Sequence, residues 1–90
     1  MLSLYDDVDT QKLLAEHLKK KRKQAKLSRK KLAERSAVPE ATIRHFETTY
    51  QISLRQFLAL WLVLDKMDRL VELTKEHPQL PRTIAEVLRG

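Results

Sequence analysis

Three histidines, His17, His45 and His77, are the side chains best suited to moving a proton at neutral pH, and they lie about 30 positions apart. None has a histidine partner four residues away, the spacing that lets one helix face hold zinc. The chain has no cysteine, which removes thiolate nucleophiles, disulfides and cysteine metal sites together. Glu47 stands two positions from His45, so on a helix the two would point in different directions. Gly90 is the only glycine, so no glycine loop can cradle a phosphate. These residues predict no catalytic set, no metal site and no cofactor.

The chemistry the chain does offer is charge. Its net charge is +6, and ten Lys or Arg fall between Lys19 and Arg35 against one acid, Glu34. From Asp65 to Gly90 the two signs balance at five each. A positive field confined in this way suits a polyanion, and nucleic acid is the commonest. The competing reading is a solvated helix face, and a short basic run also fits a nuclear import signal. One detail cuts against simple attraction. Glu40 opens a helix inside this basic half, in the stretch LAERSAVPEATIRHFE from Leu32 to Glu47.

Ninety residues with 42% apolar content suffice for one domain with a small core. Apolar residues recur at helical spacing, so the expected fold class is all-α. A first helix is expected from about Thr10 to Ala25, capped by Asp9 or Thr10, with Leu13, Leu14, Leu18 and Ala25 inward. Ser28 should cap a second helix, Arg29 to Ser36, with Leu27 before the cap and Leu32 and Ala33 facing in. A third helix should begin at Pro39 or Glu40, where proline suits the first turn, and end near Glu47. Thr48 to Ile52 reads as a connector. Ser53 should cap a fourth helix, Leu54 to Leu64, and a fifth should run from Lys66 to Lys75. After a break at His77 to Pro81, the last turns could form a short helix with Ile84, Val87 and Leu88 on one side. The longest apolar run, Phe57 to Leu64, is too short to span a bilayer. No signal peptide is visible, since the first sixteen residues carry four acids and no long apolar run. A soluble, cytoplasmic protein is expected.

The second and third helices have a specific geometry. Joined by a short bend they must cross closely, and Ala33 is the small residue that permits it. Leu32, Val38, Ile43 and Phe46 would then share a core. Ala37 falls where a left-handed residue is needed, at a cost of about 1 kcal/mol over glycine.

With these positions in place, LSRKKLAERSAVPEATIRHFE resembles the helix-turn-helix of the Cro and phage-repressor family, also called the XRE family. Leu27, Ser28, Leu32, Ala33, Val38, Thr42, Ile43, Phe46 and Glu47 carry the likeness. It departs from the family at Ala37, usually glycine, and at Pro39, usually Ser or Thr. The resemblance implies a five-helix, lambda-repressor-like DNA-binding domain over residues 10–75, with the motif at 28–47 and a short helical tail at 76–90. It further implies an ion pair between Arg22 and Glu47, holding the first helix to the third. The third helix would lie in the major groove. Glu40, Ala41, Thr42, Arg44 and His45 would then face bases, with Arg44 at a base or a phosphate. Lys23, Lys26, Arg29 and Lys30 would hold phosphates, and Glu40 could accept from cytosine N4.

Palindromic operators read by this motif call for a two-fold homodimer. Trp61, Leu64, Met67, Leu70 and Val71 are the candidates for its surface. The segment SLRQFLALWLVLDKMDRLVEL is also similar to small antitoxins of the HipB type, with Asp65 in place of a loop glycine. That likeness implies an autoregulating repressor, bacterial or phage-type and nucleoid-associated, paired with a HipA-like kinase toxin. A stand-alone phage-like or chromosomal repressor remains the alternative. So does a protein-interaction module without specific DNA readout.

Overall fold

A computed structural model of the chain describes residues 4–76, and every regular element among them is helical. The order is α1 (Asp7–Gln24), α2 (Arg29–Ser36), α3 (Glu40–Thr49), α4 (Leu54–Leu64) and α5 (Met67–Val71), closed by a 3₁₀ turn at Glu72–Thr74. The expected break at His77 and the tail helix with Ile84, Val87 and Leu88 lie outside the described residues.

Helix α1 begins earlier than the expected Thr10 because Asp6, rather than Asp9 or Thr10, caps it. The Asp6 carboxylate accepts the Asp9 N–H at 2.8 Å, and the Asp9 carboxylate accepts the Asp6 N–H at 3.3 Å. That reciprocal box satisfies two backbone donors, and the acids sit at the positive end of the helix dipole. The inward stripe also differs from the expected one. Ala15, Leu18 and Arg22 are buried, Leu14 packs on the core's edge, Leu13 is half exposed, and Ala25 is exposed past the helix end.

Helix α2 has the expected bounds, with Ser28 Oγ accepting the Lys31 N–H at 3.0 Å. It stops at Ala37, which takes the left-handed conformation (φ 61°) while its N–H reaches the Ala33 carbonyl at 2.9 Å. Pro39 sits at the N-cap of α3 rather than in its first turn, and its carbonyl accepts the Ile43 N–H at 3.1 Å. Helix α3 continues past Glu47 through Thr48 and Thr49, into the stretch that reads as a connector. Their hydroxyls donate to the Arg44 and His45 carbonyls at 2.9 and 2.7 Å, a bond that lets Thr occupy a final turn. Tyr50 ends the helix with φ 68°.

Helix α4 has the expected bounds and the expected Ser53 cap. Helix α5 is shorter than the expected Lys66–Lys75 and buries none of its residues. Little packing holds its last turns, and they tighten into the 3₁₀ turn.

Helix α2 packs on α3 and α4, and α1 packs on the same two. The shared core holds Ala15, Leu18, Leu32, Val38, Ile43, Phe46, Phe57, Leu60 and Trp61, with Ala33 against it. Phe57 meets Phe46 edge-on at 6.1 Å and Trp61 at 5.7 Å. Trp61, expected on a dimer surface, is 4% exposed and belongs to this core. Its indole points inward, and its N–H finds the Lys66 carbonyl at 2.8 Å, so the ring can be buried without an unpaired donor.

Candidate nucleic-acid interface

The Ala37 bend turns α3 across α2. Ile43 and Phe46 of α3 go into the core, which leaves Ala41, Arg44 and His45 exposed and Glu40 and Thr42 partly so. Glu40 and Arg44, one turn apart, form an exposed ion pair at 3.6 Å. The first turn of α3 and the end of α1 face each other across an open cleft of about 430 Å³. Lys19, Lys23, Arg29, Lys30 and Arg44 line it, and Glu40 stands among them. Lys26 is exposed and left-handed (φ 58°) in the turn between α1 and α2.

Arg22 and Glu47 are brought together as expected. Arg22 Nε donates to Glu47 Oε2 at 2.8 Å and Nη2 donates to Oε1 at 3.0 Å, a two-pronged pair. Arg22 Nη1 donates to the Leu27 carbonyl at 2.9 Å, so the turn before α2 joins the same unit. Burial pushes the Glu47 carboxyl up, but the bonds and charges of Arg22 and Arg29 outweigh it and hold the group below its ordinary value. The family resemblance turns Arg29 toward a phosphate. Arg29 stands at the cleft's rim with its Nε bonded to Glu47 Oε1 at 2.9 Å, a contact that sequence spacing did not suggest.

A second polar cluster also escaped the sequence. The Asp65 side chain is 4% exposed and accepts from His17 Nε2 at 2.7 Å, Arg69 Nη1 at 2.9 Å and the Lys66 N–H at 2.6 Å. The His17 bond foremost, then the Lys66 N–H, pulls its carboxyl down to about 2. His17 also lies against Trp61, ring centres 5.3 Å apart, and the Arg69 guanidinium sits 5.9 Å from the Trp61 ring. The cluster ties α1 to the junction of α4 and α5. Asp65 and Arg69 are four residues apart but meet across the α4–α5 junction rather than along one helix; the His17–Asp65 separation of 48 residues is not readable without the fold.

Of the other residues assigned to a dimer surface, Leu64, Met67 and Leu70 are partly buried against the core and Val71 is half exposed. Leu62 and Leu73, outside that set, are more exposed than any of them. Among the described residues no cluster of His, Cys, Asp or Glu has metal-holding geometry. No helix among them is long and apolar enough to cross a membrane. Comparisons of the chain with protein families, with curated proteins and with solved structures find no match.

Proposed function

We propose that the protein binds double-stranded DNA sequence-specifically and represses transcription, in the manner of the Cro and phage-repressor family. The observation that carries this reading is the outward face of α3. Glu40, Ala41, Arg44 and His45 are presented together beside a cleft lined by Lys19, Lys23, Arg29 and Lys30. A helix of ten residues held only along its inner side has the dimensions to enter a major groove about 12 Å wide. The flanking cations would then meet the phosphates. In this reading the lysines supply affinity and the α3 face supplies selectivity.

The protein acts as a homodimer on palindromic half-sites, through Leu64, Met67, Leu70 and Val71, with the exposed Leu62 and Leu73 nearby in sequence. The finer assignment is the antitoxin and autoregulator of a toxin–antitoxin operon with a HipA-like kinase partner. The sequence from Ser53 to Leu73 supports it by its likeness to HipB-type antitoxins. Co-purification with such a kinase encoded beside it would support that assignment. A purified kinase neighbour that forms no complex would leave the stand-alone repressor.

The test of DNA reading is enrichment from a randomised duplex pool, followed by binding to the enriched site and to unrelated DNA. Arg44→Ala or His45→Ala should weaken binding to the enriched site at least tenfold, with little change on unrelated DNA. Lys23→Ala or Lys30→Ala should weaken both, and each should reduce the slope of log K against log salt by about one. Equal losses on both DNAs from all four changes would remove α3 as the reading element.

A further inference from the structure

The Glu47 carboxylate serves two guanidiniums that differ in what they have left to offer. Arg22 is 8% exposed, and Nε, Nη1 and Nη2 are all engaged, two with Glu47 and one with the Leu27 carbonyl. Arg29 is the first residue of α2, and its side chain is 31% exposed. Its Nε is held by Glu47 Oε1. Among the described residues its two Nη groups have no hydrogen-bond partner, and the residue lines the cleft with Lys23, Lys30 and Arg44. A guanidinium is planar, so a bond at Nε fixes the plane and leaves the Nη edge to grip two oxygens at once. Two arginines against one carboxylate also leave the unit with a net positive charge, and the carboxylate does not cancel the attraction it directs.

We propose that Glu47 is a positioning residue for the anion, holding Arg29 so that its Nη edge grips a backbone phosphate of the duplex as a two-pronged fork. This rests on the DNA-binding reading above and specifies how that site takes its phosphate. A mobile lysine-like charge would lose side-chain freedom on binding, whereas Arg29 has given up much of it on folding. The arrangement also gives α2 and α3 a common register on the backbone, because Glu47 belongs to α3 and Arg29 to α2.

The test is a double-mutant cycle read by fluorescence anisotropy with a labelled duplex of random sequence, across a salt series. Arg29→Ala should weaken binding about tenfold and reduce the salt slope by about one. Arg29→Lys should weaken it severalfold with the slope unchanged, because the charge stays and the fork is lost. Glu47→Gln should weaken binding severalfold in the parent and add nothing in the Arg29→Ala background. The proposal is overturned if Glu47→Gln costs as much in the Arg29→Ala background as in the parent, since Glu47 would then act through Arg22 alone. It is overturned equally if Arg29→Lys binds like the parent. A parent protein that binds no duplex at low salt removes the DNA reading and this proposal together. Should Glu47→Gln fail to fold, the Arg29 Nε–H resonance of the parent decides. Slow solvent exchange with and without duplex supports the proposal, and exchange as fast as in a free arginine overturns it.

Discussion

Glu47 lies almost wholly inside the protein, yet it is ionised and meets two arginines. Removing one partner of such a buried set leaves the other charged and unpaired, which costs more than the set contributed. Glu47→Ala should therefore destabilise the fold by on the order of 3 kcal/mol, measured by urea unfolding. A loss under 1 kcal/mol would mean that water reaches Arg22 freely. Ala37 and Tyr50 share a left-handed backbone, at φ 61° and 68°, but not a fate on substitution. Ala37 is exposed, so Ala37→Gly relieves the Cβ clash and loses nothing in packing. The relief, about 1–2 kcal/mol, exceeds the glycine's extra unfolded-state entropy, about 0.4–1 kcal/mol, so the melting temperature should rise. Tyr50 packs against the core, so Tyr50→Gly should lower it despite the same backbone relief. Two shifts of the same sign would show that packing and backbone are not separable at these sites.

At the scale of elements, α5 is the weakly held piece. It is five residues long, none of them fully buried, and it is fastened by the Asp65 cluster at its start and by Met67 and Leu70 against the core. The Asp65 carboxyl is lowered in the fold, from an ordinary 3.8 to about 2. Its contribution to stability is therefore complete above about pH 4 and disappears as pH falls through about 2. Asp65→Asn should flatten the pH dependence of unfolding within that window. Hydrogen exchange of the α5 amides should accelerate in the same variant, while α2 and α3 keep their protection. If α5 exchange is unaffected, the anchor lies in the packing of Met67 and Leu70 instead.

For the whole molecule, one core serves two opposed demands. It buries one face of α3 while leaving the other bare, and it absorbs Trp61 while leaving Leu62, Val71 and Leu73 at the surface. Those apolar side chains on α4, α5 and the turn that follows are what the dimer proposed above would have to cover. Sedimentation should find a dimer at micromolar concentration, and Val71→Glu should shift it toward monomer with little change in melting temperature. If the protein reads DNA as proposed above, that variant's binding to an enriched palindromic site should weaken much more than its binding to random duplex, because only the palindrome offers two half-sites. A parent that sediments as a monomer at those concentrations would leave the apolar side chains to another partner.

Local chemistry was enough to place much of this. The Ser28 and Ser53 caps, the bend at Ala37 and the inward set Leu32, Val38, Ile43 and Phe46 all follow from residues within one or two helical turns of each other. So does the outward face of α3, because burying Ile43 and Phe46 leaves Ala41, Arg44 and His45 on the opposite side, with Glu40 at its edge. The Arg22–Glu47 pair is implied by the family likeness alone, and no local rule gives it. What only the tertiary structure decided is where distant side chains meet. Arg29 turns to Glu47 and His17 to Asp65 because the core brings α1, α2 and the α4–α5 junction within hydrogen-bond reach. Trp61 is inside for the same reason: α4 is apolar nearly all round, and only the helices packed on it determine which side is covered.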